Sequence, residues 1–205
     1  MINSFKGIEK KTESFMVVQK SKFYSFAIPV FTKSEVLEHL DNFKKEYYDA
    51  THVCYAYIIN DNGVQEKYSD DGEPQGTAGF PICNVLKKKG LTNVLVVVVR
   101  YFGKIKLGAG GLTRTYSACA SQVLEQATEY QYFLADKIKM EFNTNDYFRY
   151  VGIFNMTEIE KKVEIFKDYT CEVELCVKKE FTSKITKLLK AIDNNLDIKL
   201  SELYL

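Results

Sequence analysis

The segment that most restricts the fold is the aliphatic run Val94–Val99, near the middle of the chain. The run is far too short to span a bilayer, which needs about 20 apolar residues. Its valine content and its flanking turn signals instead predict a buried strand over Leu91–Arg100. Glycines then lead into a long helix, which we expect to run from Gly108 to about Gln126.

The residues before this strand carry further signals. Thr12–Pro29 alternates between apolar and polar side chains and predicts two strands with a turn near Gln19–Ser21. Thr32–Glu35 has the pattern of a capping box, and helical spacing of apolar residues continues to about Tyr47. Strands are predicted over Thr51–Ile59 and Val64–Ser69, joined by a hairpin turn at Asp61–Gly63. A short helix is predicted next, with Pro81 in its first turn and Gly90 at its C-cap.

A domain boundary is expected near Thr128–Asp136, where the composition becomes aromatic and mixed. We therefore predict one domain over residues 1–130 and a second over residues 135–205. The second is predicted to contain a strand from Lys137, a helix capped by Asn143–Asp146, a hairpin over Ile159–Val177, a helix over Phe181–Ile192 and a last strand over Ile198–Leu205. The order βαββαβ predicts a ferredoxin-like domain, and the whole chain is expected to be α+β.

Charge is distributed unevenly along the chain. Residues 1–73 carry 9 basic and 12 acidic side chains, residues 74–124 carry 7 and none, and residues 125–205 carry 12 and 15, which gives −3, +7 and −3. The sum agrees with the net charge of +1. The basic middle segment is the expected location of a site for an anionic partner.

The cysteines and the first residues indicate the compartment. Five cysteines without a Cys-x-x-Cys spacing predict neither a disulfide framework nor a zinc site. Reduced thiols are typical of a cytoplasmic protein. The polar start of the chain lacks the apolar core of a signal peptide, and we expect no membrane partner, no bound metal and no cofactor.

A basic, glycine-rich stretch follows the predicted buried strand. Amides at a helix start carry partial positive charge, and glycines let an anion approach them closely. Tight packing of helix on sheet is an equally good explanation of the glycines. The candidate contacts for phosphate and bases are Arg100, Tyr101, Lys104, Lys106, Gly108, Gly110, Gly111 and Arg114.

A cluster of acidic residues precedes the basic segment. Asp70, Asp71 and Glu73 together offer oxygen ligands for a hard cation, and His52 offers a general base. Two other interpretations are open: a turn in which the carboxylates accept backbone hydrogen bonds, or ion pairs with the basic segment. The four residues are the alternative catalytic set.

Several segments together resemble the IMPACT family. They are Lys20–Phe23, Ala50–Tyr57, Ser69–Pro81, Asn93–Gly103 and Lys106–Tyr116. The resemblance is dense over residues 15–127, whereas residues 135–205 resemble the small C-terminal domain of the bacterial branch by pattern. The chain departs from the family at Lys104, where a second glycine is usual; a lysine adds charge and disfavours positive φ.

The resemblance implies an N-terminal α/β sandwich like domain 2 of ribosomal protein S5 and a C-terminal domain similar to one in elongation factor G. It also implies a link to translation, since eukaryotic members regulate the pathway that activates an initiation-factor kinase. We therefore expect a cytoplasmic protein without catalytic activity that binds RNA or ribosomal components. The alternatives are a metal-dependent hydrolase of a phosphorylated or nucleotide-like substrate, and a protein-interaction module for translation-related proteins.

Overall fold

The computed structural model describes residues 4–60 and 63–205, which divide into two compact units. The first unit is Lys6–Gln131, and the second is Tyr132–Leu205 with Ser4 and Phe5. The predicted hairpin turn at Asp61–Gly63 lies outside the described residues at its first two positions. Within the described residues, no helix combines the length and apolar character needed to cross a membrane.

The first unit is built on one antiparallel sheet. Its strands are β2 (Thr12–Val18), β3 (Ser21–Pro29), β4 (His52–Asn60), β5 (Val64–Ser69) and β6 (Val94–Tyr101), in the spatial order β2-β3-β6-β4-β5. β6 is therefore the central strand, and it is the buried strand that the aliphatic run predicts. The turn between β2 and β3 places both Gln19 and Lys20 at positive φ, the geometry of a tight hairpin whose twist matches its strands.

Helices cover both faces of this sheet. The helices are α1 (Lys33–Glu46), α2 (Gly79–Lys89) and α3 (Gly108–Gln126). The even-numbered valines of β6 pack with α2 and α3, and the odd-numbered side chains pack with α1. Because both faces are covered, every residue of Val94–Val99 is buried. Burial of one aliphatic side chain contributes about 1.5–3 kcal/mol to the stability of a folded protein.

The predicted helix ends are confirmed. Thr32 accepts a hydrogen bond from the amide of Glu35 at the start of α1, as a capping box requires. Gly90 adopts the left-handed conformation at φ +65° and ends α2, whose last turn carries Lys87–Lys89.

The second unit contains the βαββαβ order that the sequence predicts. Its elements are β7 (Glu129–Asn143) from Tyr132 onward, a 3-10 turn (Thr144–Asp146), α4 (Tyr147–Phe154), β8 (Ile159–Phe166), β9 (Thr170–Lys178), α5 (Lys179–Ile192) and β10 (Ile198–Tyr204). The strand order is β10-β7-β9-β8, all antiparallel, and β1 (Ser4–Ile8) also joins β7. The core is formed by one face of this sheet with α4 and α5.

One boundary differs from its prediction. The strand predicted from Lys137 begins at Glu129, so the segment that composition marks as a boundary is itself β-structure. Tyrosine and phenylalanine in this segment favour an extended backbone, and this local preference outweighs the change in composition.

Candidate functional site

The register of the first sheet brings the acidic and basic motifs together. His52 of β4 lies opposite Arg100 of β6, and Phe23 of β3 lies on the other side of Arg100. These side chains share the face that α2 and α3 cover. The loop that follows β5 contains Asp70, Asp71 and Glu73, and it closes over the end of β4.

Asp70 organises this loop through its carboxylate. Its two oxygens accept hydrogen bonds from the amides of Gly76, Ala78 and Gly79 at 2.8–2.9 Å. The last two amides lie at the start of α2, where backbone donors have no partner within the helix. Asp70 thus acts as a cap for α2, which is the turn interpretation of the acidic cluster.

Asp71 anchors the loop to β4. Its carboxylate accepts from the amide of Val53 at 2.6 Å, and its own backbone adopts φ +41°. The carbonyl of Asp71 lies 2.8 Å from Nδ1 of His52. A proton on Nδ1 satisfies this carbonyl, which leaves Nε2 of His52 facing Glu73 at 3.8 Å from Oε2.

Glu73 is the centre of a buried polar cluster. Its carboxylate, only 3% exposed, accepts from Nη1 of Arg100 at 2.5 Å and from the hydroxyl of Tyr116 at 2.7 Å. Burial raises the pKa of the Tyr116 hydroxyl, which therefore stays protonated and donates. Burial likewise raises the pKa of the Cys54 thiol, whose Sγ donates to the carbonyl of Asp70 at 3.0 Å.

These contacts bear on two sequence predictions: the metal-binding acidic cluster and the phosphate contact of Arg100. Among residues 4–60 and 63–205, no group of three or more His, Cys, Asp or Glu side chains is placed to hold a metal ion. Asp70, Asp71 and Glu73 point to different partners. Arg100 is 4% exposed and is paired with Glu73, so little of its side chain reaches solvent, although it lines the cleft described below; its contact with phosphate stays a prediction.

The glycine-rich segment opens α3 as predicted. Gly108 adopts φ +68° there, and the first turn of α3 has no side-chain cap among the described residues. Its free amides are therefore available to an anion or to water. Arg114 lies along this turn, with Nη1 3.7 Å from the position that a Cβ on Gly110 would occupy. Gly111 lies close to Leu107, where a Cβ would be 3.2 Å from the Leu107 Cβ, but Leu107 directly precedes α3, so the contact is local and is not one of helix on sheet.

Lys104 adopts a backbone conformation that lysine disfavours. Its φ of +66° lies in the left-handed region, where the family usually has glycine. Gly103 beside it approaches the β2–β3 turn so closely that a Cβ would lie 2.0 Å from the carbonyl carbon of Lys20. The loop between β6 and α3 is thus fixed against the hairpin turn, and both carry lysines.

The exposed cations of this region form no ion pair within the described part of the chain. They are Lys20 and Lys22 at the hairpin, Lys104 and Lys106 in the loop after β6, and Arg114 on α3. Some lysines elsewhere are paired, as Lys87 is with Glu66 and Lys139 with Glu174, whereas others, such as Lys67 and Lys88, have no ion pair among the described residues. The sequence does not reveal Lys20 and Lys22 as members of this group, because only the strand register brings them beside Tyr101.

Phe102, rather than Tyr101, is the exposed aromatic residue at this site. The Tyr101 hydroxyl donates to Asp49 at 2.8 Å, and the ring packs edge-on against Tyr24. Phe102 is 43% exposed, and its amide donates to Thr51 at 3.0 Å. The guanidinium carbon of Arg100 lies 5.4 Å from the Phe102 ring centroid, a cation–π distance that holds the ring in place.

Two clefts adjoin Phe102. One, of about 400 Å³, is lined by His52, Glu73, Arg100, Phe102, Lys106 and the first residues of α3. The other, of about 500 Å³, is lined by Lys20, Lys22, Tyr24, Tyr47, Asp49, Tyr101 and Phe102. The predicted residues Lys106 and Gly108 and the acidic Glu73 therefore share one cleft, whereas Tyr101 faces the other.

The segments that form this site lie within the part of the chain that shows its family. Residues 19–124 match the family described as the Impact N-terminal domain. The chain belongs to the IMPACT family, as the sequence motifs imply.

Known relatives come from bacteria and eukaryotes. The chain is 44% identical over 124 residues to the IMPACT family member YvyE of Bacillus subtilis, which covers 60% of this chain and 57% of that protein. It is 36% identical over 113 residues to YigZ of Escherichia coli, with 54% and 55% covered. The Protein IMPACT homolog of Dictyostelium discoideum is 41% identical over 95 residues, with 44% and 27% covered. The chain thus spans about half the length of the bacterial relatives it matches.

Solved structures support the fold over nearly the whole chain. A crystal structure described as that of a hypothetical protein superposes with a TM-score of 0.71 and covers 97% of both chains. The sequence identity is 22%, so this superposition shows a likeness of fold alone.

Proposed function

We propose that the chain binds RNA of the translation machinery through the surface formed by Lys20, Lys22, Phe102, Lys104, Lys106 and the start of α3, here called the basic face. The observation that carries the proposal is that three exposed cations without an ion pair among the described residues, Lys20, Lys22 and Lys106, line the two clefts that share the exposed Phe102 ring. A folded protein commonly pairs such cations or disperses them. Their concentration favours a polyanionic partner.

The chemistry of the basic face suits nucleic acid better than a small acidic molecule. Lysines follow a backbone of phosphates, and an exposed aromatic ring stacks on any base. Uncapped amides at Gly108 and Ala109 add donors for a phosphate oxygen. The acidic residue that lines the same cleft, Glu73, is paired with Arg100, so its charge is compensated.

The link to translation rests on the family. The curated relatives include proteins named IMPACT in eukaryotes, and the family resemblance implies translation regulation there. Ribosomal RNA is accordingly the RNA class that we propose as the partner.

The test compares two double variants with equal loss of charge. Lys104→Ala/Lys106→Ala removes two cations of the basic face, and Lys88→Ala/Lys89→Ala removes two cations of α2. Binding of a fluorescent oligoribonucleotide and of ribosomes is measured by anisotropy and sedimentation over a range of salt concentrations. The slope of log K against log salt for single strands should be roughly −0.7 per phosphate contact. The first variant should therefore reduce the slope by about 1.4, and the second should leave it unchanged.

Other outcomes contradict the proposal. Equal losses in the two variants would indicate non-specific attraction to any cation of the surface. The absence of RNA and ribosome binding at low salt would overturn the proposal outright. Ribosome binding that persists at high salt without any affinity for free RNA would assign the face to a protein partner.

A further inference from the structure

We infer that the basic face is selective for single-stranded RNA: two successive nucleotides occupy the two clefts beside Phe102, and one of their bases stacks on the face of the ring that Arg100 does not cover. The inference rests on the proposed function and adds the conformation of the ligand. Its central observation is that one exposed ring lines both clefts.

Phe102 has the properties of a rigid stacking element. Its amide is fixed by Thr51, and the Arg100 guanidinium lies between the rings of Phe23 and Phe102 at 5.5 and 5.4 Å from their centroids. Arg100 is in turn held by Glu73 and by Ser21. The ring therefore loses little conformational freedom when a base packs on it. Stacking on Phe102 thus costs less conformational entropy than stacking on a mobile side chain would.

Each cleft suits one nucleotide in size and in charge. Volumes of about 400 and 500 Å³ lie within the range of small-ligand sites. The first cleft offers Lys106 and the uncapped amides of α3 to a phosphate and Leu107 and Leu112 to a base. The second offers Lys20 and Lys22 to a phosphate and the rings of Tyr24 and Tyr47 to a base; Asp49, the acidic residue of its lining, accepts the hydrogen bond of the Tyr101 hydroxyl.

A duplex does not meet these requirements. The bases of a double helix are stacked on one another, so a side chain has no access to their faces unless a base is displaced. Single strands expose these faces, and their stacking on aromatic side chains contributes substantially to binding. Phosphate contacts alone would not distinguish the two forms in this way.

The test measures affinity for one RNA sequence as a single strand and as a duplex. The full chain is compared with Phe102→Leu, which removes the aromatic ring, with Phe102→Tyr, which keeps it, and with Phe80→Leu. Phe80 is a matched control because it is 45% exposed and lies on α2, beside Lys88 and Lys89. Circular dichroism establishes that each variant is folded.

Single-strand affinity should exceed duplex affinity by on the order of tenfold. Phe102→Leu should weaken single-strand binding by a similar factor and leave duplex binding unchanged, and Phe102→Tyr and Phe80→Leu should leave both unchanged. Equal affinity for the two forms, or an equal loss in both with Phe102→Leu, would overturn the inference. If Lys104→Ala/Lys106→Ala abolishes RNA binding but the full chain binds single strands and duplexes equally well, the inference is overturned and the proposed function stands.

Discussion

Glu73 illustrates how one side chain serves several neighbours. Its carboxylate is 3% exposed and binds Arg100 and Tyr116. The charges of a buried pair are removed from water, and each depends on the other for compensation. The acidic motif is thus a structural support for the basic loop that follows β6, and its charge is cancelled inside the protein.

We expect Glu73→Ala to destabilise the first unit by about 3–5 kcal/mol, because a buried guanidinium is left without its counterion. The rate of hydrogen exchange of the β6 amides, measured at increasing urea concentrations, gives the loss in the free energy of unfolding. Glu66→Ala, which breaks the exposed pair with Lys87, should cause little change. A double variant, Glu73→Leu with Arg100→Met, should recover part of the stability; no recovery would mean that packing, and not the orphaned charge, causes the loss.

At the scale of elements, the loop between β6 and α3 depends on its close contact with the β2–β3 turn. Gly103 is the point of contact, since a Cβ there would meet the backbone of Lys20 and Ser21 at 2.0–2.3 Å. Backbone atoms on both sides leave no flexible group to move aside. The contact sets the position of Phe102 and Lys104 relative to Lys20 and Lys22.

Gly103→Ala should therefore displace the loop, lower the melting temperature and weaken RNA binding together. Gly90→Ala is the control: its φ of +65° is also unfavourable for alanine, at about 1–2 kcal/mol, but no atom lies within 4 Å of the new Cβ. We expect Gly90→Ala to lower stability without any change in RNA affinity. Identical effects of the two substitutions on affinity would refute the role of the contact.

The elements of the fold are largely predictable from the sequence, because their signals are local. The capping box at Thr32, the C-cap at Gly90 and the alternation along β9 each act within a few residues. The site is predictable only in part. Glycines and cations mark the loop, but burial of Arg100 and exposure of Phe102 follow from the register of β3, β4 and β6, which joins residues far apart in sequence.

At the scale of the whole molecule, the two units have separate apolar cores. Leu175, which is fully buried, belongs to the core of the second unit, and every residue of the basic face belongs to the first. The candidate site and the ferredoxin-like fold are thus stabilised by different sets of contacts.

Leu175→Ala should destabilise the second unit by about 2–5 kcal/mol through the loss of buried apolar volume. Hydrogen exchange of the β9 amides measures this change, and RNA affinity under native conditions should stay constant. A large loss of affinity in a variant that is still folded would show that the second unit contributes to binding.

The exposure of Phe102 has a spectroscopic consequence, because the chain contains no tryptophan. Phe102→Trp would introduce the sole indole of the protein at the proposed point of base stacking. Its emission, excited beyond the absorption of the 14 tyrosines, would report only on that point. Quenching of this single fluorophore by a stacked base would give a direct optical signal of occupancy without any label on the RNA.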